Sequence, residues 1–384
     1  MRFEFATAAR ILFGAGAARE IGLLAKQFGR RALLVTGRSA SRAEPMAAAL
    51  QGQGVESVWL AVPGEPTTDL VRAGVQFAKE QKVDLVVGFG GGSALDAAKA
   101  IAALRTNPGD LLDYLEVIGG GKPLSQKALP CLAVPTTAGT GTEVTRNAVL
   151  SSPQHRVKVS LRGPLILPCL ALIDPELTYT LPPAITASTG LDALTQLIEP
   201  YVSPRANPMT DAVCVEGMRR VARSLRRAFE HGSEAAARED MAAASLFGGL
   251  ALANAGLGAV HGFASPIGGM FAAPHGAVCA ALLPVTMEIN VRALRRRAPG
   301  SETLRRFDHI AHLLTGHAQA EANDGIGWVR ETCQVLNIPP LKAYGISVAD
   351  FPALIEKAAQ ASSMKANPIP LTPTEMEEIL QHAW

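Results

Sequence analysis

The sequence predicts two domains: an α/β domain with a parallel sheet, followed by an all-helical domain. Three observations predict this architecture: the length of the chain, the alternation of segments in its first half, and a change of character near residue 182. With 384 residues, the chain exceeds the length at which one hydrophobic core stops growing. Its composition, 48% hydrophobic and 18% charged, is typical of a folded globular protein.

In the first half, short apolar segments alternate with helical ones. The apolar segments predict strands at 30–37, 55–62, 83–92 and 130–141. Segments with helical character lie between them, at 43–54 and 70–82. Strands that alternate with helices form a parallel sheet covered on both faces.

The second half has a different pattern. Segments 208–232 and 234–256 are rich in Ala, Leu and Arg, with helical periodicity and few β-branched residues. Pro182 and Pro183 predict a hinge, because a Pro-Pro pair cannot lie inside a helix. The predicted domains are therefore 1–181 and 182–384.

Composition also excludes several classes of protein. The net charge of +2 comes without a basic stripe, so neither nucleic acid nor a membrane surface is an expected partner. The five cysteines are widely spaced and form no CxxC pair, which argues against a disulfide framework and against a cysteine-based zinc site. The same cysteine pattern leads us to expect a reducing cytoplasm. The stretch "MRFEFATAARILFG" lacks the basic and then apolar pattern of a signal peptide, and we expect no apolar run of transmembrane length.

A glycine-rich stretch, "VVGFGGGSALDAAKA" at 86–100, predicts a strand, a turn at Gly90–Gly92 and Ser93, and a helix from about Ala94. Glycines let the backbone approach an anion, and the free N–H groups of a helix start bind phosphate. The alternative is a tight strand-to-helix turn, but three consecutive glycines and a hydroxyl favour a pyrophosphate site.

A second polar loop, "PTTAGTGTEVT" at 135–145, carries Thr136, Thr137 and Thr140 at the end of a predicted strand. Open α/β sheets bind ligands at the carboxyl ends of their strands. The loop therefore suits a dinucleotide, although a polar loop without a ligand would have the same pattern.

Four segments, in this order and spacing, resemble the iron-containing (group III) alcohol dehydrogenases over nearly the whole chain: "GGGSALDAAK", "VPTTAGTGTEVT", "GLDALTQLIEP" and "HGFASPIGGMFAAPHG". The resemblance implies a dehydroquinate synthase-like fold, with an N-terminal Rossmann-like domain and a C-terminal all-helical domain. It also implies a cleft that holds the nicotinamide and a divalent metal.

The resemblance assigns the cofactor residues by motif. It places the pyrophosphate on Gly91, Gly92 and Ser93, and the rest of the cofactor near Asp96, Thr136, Thr137, Thr140 and Lys158. Glu65 stands where many members have an asparagine and is a further candidate. After the strand at 30–37, Gly37, Arg38 and Ser39 replace the acidic residue that would repel a 2′-phosphate. We therefore expect NADPH to be used at least as well as NADH, the alternative being an exposed turn with an incidental arginine.

The resemblance implies a metal site of Asp192, Gln196, His261 and His275, holding Fe²⁺ or Zn²⁺ as a Lewis acid. Asp192 and Gln196 are four residues apart and share one helix face. Gln196 replaces an imidazole with a neutral amide, so we expect weaker metal binding or an empty site.

The predicted catalytic residues are His261, Ser265 and His275. Ser265 stands where many family members have a histidine that relays the substrate proton, and serine has no suitable pKa. The relay would then run through water, a ribose hydroxyl of the cofactor, or His261. We expect the remaining histidines to be structural: His155, His231, His309, His312, His317 and His382.

These observations predict an NAD(P)-dependent oxidoreductase that interconverts a small alcohol and its aldehyde or ketone. Three alternatives stay open: a maleylacetate-reductase-like enzyme, a dehydroquinate-synthase-like lyase, and a dinucleotide-binding protein that has lost its metal and catalysis. The expected partners are a small-molecule substrate and further copies of the chain in a homodimer or higher homo-oligomer.

Overall fold

The computed structural model describes residues 2–384, which form two compact units. The sheet unit consists of Ala6–Thr137 and Gly141–Tyr179. The helical unit consists of Thr180–Trp384, Ala138–Thr140 and residues 2–5.

The sheet unit contains a parallel sheet in the order β1-β8-β5-β4-β2-β3 and an antiparallel hairpin of β6 and β7. The strands are β1 Ile11–Phe13, β2 Arg31–Thr36, β3 Glu56–Ala61, β4 Leu85–Gly90, β5 Cys131–Pro135, β6 Asn147–Ser152, β7 Val157–Arg162 and β8 Leu170–Ile173. The unit's helices are α1 Ile21–Ala25, α2 Glu44–Gly52, α3 Thr68–Glu80, α4 Gly92–Leu104 and α5 Leu111–Tyr114.

Both faces of the sheet are covered. Val86 of β4 packs in one apolar cluster with α3 and α4, whereas its neighbour Val87 packs in the other with α1 and α2. Successive side chains of a strand point to opposite faces, so a central strand buried on both sides reads as a continuous apolar run. This confirms the predicted parallel sheet, and β2 to β5 lie within the four predicted segments.

The sequence missed the other four strands. β1 has three residues and lies at the sheet edge, and β8 follows Pro164 and Pro168. In the hairpin, β6 and β7 are joined without the Asn-Gly or Asp-Gly turn that signals a two-residue hairpin loop. Both strands are as long as β2, but polar residues interrupt their apolar pattern.

The helical unit is built around α6, which packs against α7, α8 and α10. Pro182 caps α6 and Pro183 occupies its first turn, where a missing N–H costs nothing. The unit's helices are α6 Pro183–Val202, α7 Pro208–Glu230, α8 Ala235–Ala255, α9 Ala259–Met270, α10 His275–Arg297, α11 Glu302–Thr315, α12 Ala322–Val335, α13 Phe351–Gln360 and α14 Pro373–Ala383. The predicted all-helical second half is confirmed.

Helix α10 corrects one expectation. By length and composition it is apolar enough to cross a membrane, which the sequence was expected not to contain. However, 83% of its apolar window is buried inside the protein. Core helices of folded proteins pass the same test, and α10 contributes its buried residues to the apolar core of the helical unit.

Candidate active site

Three loops meet at the carboxyl ends of β2, β4 and β5. The Thr136 N–H donates to the Gly90 carbonyl at 2.9 Å. A Cβ placed on Gly90 would lie 3.3 Å from the Gly37 nitrogen, and one on Gly91 would lie 3.3 Å from Thr137 Cγ2. The structure therefore brings the predicted residues Gly37, Gly91 and Thr137 together, at a spacing that favours glycine.

The start of α4 lies at the same edge. Gly91 is its N-cap residue in extended conformation, and no side chain within residues 2–384 caps the helix there. The first-turn N–H groups, which include those of Gly92 and Ser93, have no partner inside a helix and are the groups that bind phosphate.

The strand order supports the same location. From β2 the chain adds β3 on one side, and then crosses over to add β4 on the other. The side on which the chain adds strands thus reverses between β2 and β4. Open α/β sheets bind nucleotides in the crevice at such a point.

The other predicted cofactor residues have partners of their own. Lys158 Nζ lies 2.9 Å from Glu65 Oε1, so the structure joins these two candidates in an ion pair. Arg38 Nε donates to the Pro63 carbonyl at 3.1 Å from an exposed position. Thr140 belongs to the helical unit, where the neighbouring Gly139 packs against Thr189 of α6.

A buried lysine that the sequence analysis overlooked holds the polar loop. Lys99 of α4 donates to the Thr142 carbonyl at 2.9 Å, to Thr145 Oγ1 at 2.8 Å and to the Asn147 carbonyl. Burial lowers the pKa of Lys99. Its signal in the sequence is an Asp–Lys pair, Asp96 and Lys99, on an otherwise apolar, alanine-rich helix.

Asp96 is buried beside Lys99, with Oδ1 3.8 Å from Lys99 Nζ. Burial raises the pKa of Asp96 to about 6, and Lys99 offsets this only in part. The cofactor role of Asp96 stays a prediction.

In the helical unit, four potential ligands from three helices converge: Asp192 on α6, His261 on α9, and His275 and Cys279 on α10. Their ligand atoms all lie within 4.8 Å of one another. Asp192 Oδ1 is 3.4 Å from His261 Nε2 and 3.7 Å from His275 Nε2. Cys279 Sγ is 3.8 Å from His261 Nε2 and 3.7 Å from His275 Nε2.

Local sequence explains the convergence. His275 and Cys279 are four residues apart on α10 and share one face of the helix. Between them, Gly276 allows α10 to approach α6, because a Cβ there would lie 2.6 Å from the Ser188 carbonyl oxygen. The glycine after His275 is therefore a requirement of helix packing.

Glu199, which the sequence analysis also missed, orients His261. Its Oε2 accepts from His261 Nδ1 at 2.7 Å, and its Oε1 accepts from the Val260 N–H at 2.7 Å. Because Nδ1 donates to Glu199, Nε2 is the nitrogen that faces the cluster. The available signal was spacing, since Glu199 follows Asp192 by about two turns of the same helix.

The electrostatics of the cluster suit a cation. Burial opposes ionisation of Asp192, but the His275 and His261 imidazoles hold the pKa of its carboxyl below the usual value. Asp192 Oδ1 and Gln196 Oε1 are buried, and no group in residues 2–384 makes a hydrogen bond of good geometry to either. Buried acceptors are normally satisfied, so two of them beside imidazole nitrogens and a thiol fit a divalent cation.

The four predicted metal residues differ in their position relative to the cluster. It brings Asp192, His261 and His275 into one cluster, and places Gln196 on the same helix with its amide oxygen beside Gly248 of α8. Because the chain has no CxxC pair, the sequence analysis did not expect a cysteine in a metal site. In the structure, Cys279 is buried in the cluster. Burial raises the pKa of the Cys279 thiol to about 12. Ser265, half-buried, lies about one turn after His261 on α9.

A parallel sheet with a glycine-rich edge at Gly37, Gly91 and Thr137, hereafter the nucleotide edge, together with a helical unit that carries a carboxylate–imidazole cluster, has the features of a metal- and nucleotide-dependent enzyme. The chain belongs to the iron-containing alcohol dehydrogenase family. The model described as "Iron-containing alcohol dehydrogenase" matches residues 8–175, and the model of the family's C-terminal region matches residues 186–384.

Relatives and solved structures agree with this family. The chain is 36% identical over 378 residues to Alcohol dehydrogenase 4 of Schizosaccharomyces pombe, covering 97% of this chain and 87% of the relative. It is 35% identical to the 1,3-propanediol dehydrogenase of Citrobacter freundii, covering 97% and 96%. A crystal structure of 1,3-propanediol oxidoreductase superposes with a TM-score of 0.93 at 33% identity, covering all of both chains.

A sulfoacetaldehyde reductase from Bifidobacterium kashiwanohense, solved with NAD⁺, gives a TM-score of 0.87 at 27% identity and covers 99% and 98% of the two chains. The predicted fold, enzyme class and reaction type are therefore confirmed. Members of the family use NAD(P) and a divalent metal, as the sequence predicted.

Proposed function

We propose that this enzyme interconverts a short-chain alcohol or diol and its carbonyl form, at a divalent cation held by Asp192, His261 and His275. The observation that carries the proposal is Asp192 Oδ1, a buried acceptor without a well-formed hydrogen bond in residues 2–384, facing two imidazole nitrogens. Relatives named for 1,3-propanediol and for alcohols support the substrate class. In this reaction the cation supplies Lewis acidity to the substrate oxygen, and the nicotinamide exchanges a hydride.

The exposure of the ligands indicates the side from which substrate enters. The side chain of His275 is 33% exposed, against 7% for His261 and 2% for Asp192. His275 therefore borders the accessible side of the cluster, whereas Asp192 and His261 close it from behind. Water is excluded on that inner side, which strengthens the electrostatic interactions there.

The hydrogen bond to Glu199 narrows the route of the substrate proton. His261 uses Nδ1 to donate to Glu199, and Nε2 points into the cluster, so neither nitrogen is left for a relay. Of the three routes that the sequence left open, water and a ribose hydroxyl remain. Ser265 follows His261 by four residues on α9, and in this proposal its hydroxyl positions such a water.

On the sheet unit, Gly91, Gly92 and Ser93 hold the cofactor pyrophosphate through backbone N–H groups. Thr136, Thr137, Thr140, Lys158 and Asp96 remain cofactor candidates from the resemblance. The dinucleotide-binding alternative without catalysis requires a lost metal site, and the retained trio of Asp192, His261 and His275 argues against it. A homo-oligomer and a cytoplasmic location stay predictions.

The test is a panel of short alcohols, diols and aldehydes, assayed with both cofactors and with defined divalent metals. We expect NAD(P)H turnover that is lost on chelation and restored by metal. Cofactor binding, followed by NAD(P)H fluorescence, should survive chelation. Turnover that persists in protein shown to be metal-free would contradict the proposal, as would a metal-loaded, cofactor-bound protein that turns over no substrate on the panel.

A further inference from the structure

We propose that Cys279 is a ligand of the catalytic metal and supplies the fourth donor that Gln196 supplies poorly, making an Asp–His–His–Cys site. This inference rests on the proposed function, because it takes the cluster of Asp192, His261 and His275 to be the metal site. It adds a thiolate to the donor set and thereby changes which metal the site selects. With four protein donors, the substrate oxygen would bind as a fifth ligand, an expansion that catalytic zinc sites undergo.

The distances between ligand atoms support a four-membered set. Zinc sites have metal–nitrogen and metal–oxygen distances of about 2.0–2.1 Å and metal–sulfur distances of about 2.3 Å. For a tetrahedron these give edges of about 3.3 Å between nitrogen and oxygen and about 3.6 Å between sulfur and nitrogen. The observed edges from Asp192 Oδ1 are 3.4 and 3.7 Å, and those from Cys279 Sγ are 3.8 and 3.7 Å.

The surroundings of Cys279 differ from those of the other cysteines of the helical unit. Cys333 Sγ donates to the Ala280 carbonyl at 3.4 Å, and Cys214 is fully buried in the apolar core. Such cysteines behave as small apolar residues. Cys279 instead directs its sulfur at two imidazole nitrogens, and among residues 2–384 it is the one cysteine found in a group of potential metal ligands.

Charge and softness both favour the thiolate over the amide of Gln196. A thiolate gives the ligand set a second anion in direct contact with the ion, whereas the amide of Gln196 leaves Asp192 as its one anionic ligand; the Glu199 carboxylate lies behind His261. Thiolate and imidazole donors select Zn²⁺ over the harder Mn²⁺. We therefore expect this chain to prefer Zn²⁺ or Co²⁺, and Gln196 to contribute little.

Cobalt substitution tests the inference, because a cysteine thiolate bound to Co²⁺ gives a charge-transfer absorption in the near ultraviolet that imidazole and carboxylate ligands do not give. The full-length protein is stripped with chelator and titrated with Co²⁺. Three proteins are compared: the wild type, Cys279→Ser, and Cys333→Ser as the matched control. We expect the absorption at one Co²⁺ per chain in the wild type and in Cys333→Ser.

Cys279→Ser should lose the absorption and bind Co²⁺ more weakly by at least about tenfold, the lower limit of what losing even a hydrogen-bond partner of a ligand costs. It should also lose the preference for Zn²⁺ over Mn²⁺ in competition. Gln196→Ala should keep the absorption, which separates the two donors.

The outcomes distinguish this inference from the proposed function. If the wild-type protein binds Co²⁺ and shows visible d–d bands but no thiolate absorption, Cys279 is not a ligand. The proposed metal site of Asp192, His261 and His275 is then still supported. Retention of the absorption in Cys279→Ser also overturns the role of Cys279. Wild-type protein that binds no Co²⁺ overturns both the role of Cys279 and the metal site. If Cys279→Ser does not fold, the presence or absence of the thiolate absorption in the wild-type protein decides whether a cysteine binds the metal.

Discussion

Buried carboxylates lie in both units, but their surroundings differ. In the helical unit, the imidazoles near Asp192 hold its pKa below the usual value despite burial. In the sheet unit, burial raises the pKa of Asp96 to about 6 and that of Glu143 to about 7. Asp96 and Glu143 share the single charge of Lys99, which offsets their burial only in part. The number of basic side chains beside a buried carboxyl group thus decides whether that group keeps its charge.

The difference extends to the kind of ligand that each region suits. The helical cluster is made of side chains whose oxygen, nitrogen and sulfur atoms are all potential metal ligands, so it suits a cation. The nucleotide edge is made of backbone N–H groups and glycines, and a ligand there needs the space that the missing side chains leave. Side-chain substitutions should therefore disable the first region, whereas the second should respond mainly to bulk.

The largest effect is expected from Asp192→Ala. Removing the buried carboxylate takes away the anionic ligand of the cluster, and Lewis-acid activation contributes several kcal/mol to the reaction, so kcat/KM should fall about a thousandfold or more. Metal analysis should show less than one ion per chain, while NAD(P)H binding is unchanged. Full metal content in an inactive Asp192→Ala would contradict the ligand role.

Glu143→Gln should change the pH dependence of stability. A folded-state pKa of about 7, against 4.5 in the unfolded chain, means that the folded protein holds an extra proton between these values. Wild-type stability should therefore fall as pH rises from about 4.5 to about 7, by on the order of 3 kcal/mol. Glu143→Gln should lack this component in urea unfolding at pH 5 and pH 8. Asp96, which shares Lys99 with Glu143, still titrates in both proteins, so parallel pH profiles would refute the assignment to Glu143.

Glu199→Gln tests a positioning residue. The amide keeps the shape of the carboxylate but loses the charge that fixes the proton on His261 Nδ1. Losing such a partner of a metal ligand costs about 10- to 100-fold in metal affinity. Competition with a coloured chelator should show this loss, and saturating metal should restore most of kcat. Unchanged metal affinity would limit Glu199 to holding the start of α9 through the Val260 N–H.

Gly91→Val tests the nucleotide edge by adding an uncharged side chain that takes up space. The branched side chain would enter the space beside Thr137, where even a Cβ already lies 3.3 Å from Cγ2. Losing one backbone contact to a charged phosphate costs about 1.5 kcal/mol, so the Kd for NAD(P)H should rise about tenfold. Metal content should not change. Gly52→Val is the matched control, since nothing lies within 4 Å of a Cβ there; equal effects of the two substitutions would point to general destabilisation.

How far sequence could predict each region depends on whether a local pattern marks each of its residues. The nucleotide edge was predictable because each loop directly follows an apolar strand, and the carboxyl ends of parallel strands meet at one edge of the sheet. Short edge strands such as β1 carry no such signal, and their pairing depends on distant residues.

The helical cluster was only partly predictable. Asp192, His261 and His275 came from the family resemblance, but Cys279 and Glu199 required the faces of three helices to be known together. Each lies at a helical spacing from a predicted ligand, Cys279 four residues after His275 and Glu199 seven after Asp192. Such spacings are common in helices and gain meaning only when packing shows which face points at the cluster.

The smallest effect is expected from Arg38→Ala, which tests cofactor choice at the nucleotide edge. Arg38 is exposed and already donates to the Pro63 carbonyl, so a contact with a 2′-phosphate would be screened by water and worth at most about 1 kcal/mol. The KM for NADPH should rise about three- to fivefold, while the KM for NADH stays the same. Arg42→Ala serves as control, because Arg42 is a nearby arginine that binds the Leu177 carbonyl. Equal changes for both cofactors would assign Arg38 to loop structure, and a clear NADH preference of the wild type would end the argument for a 2′-phosphate site.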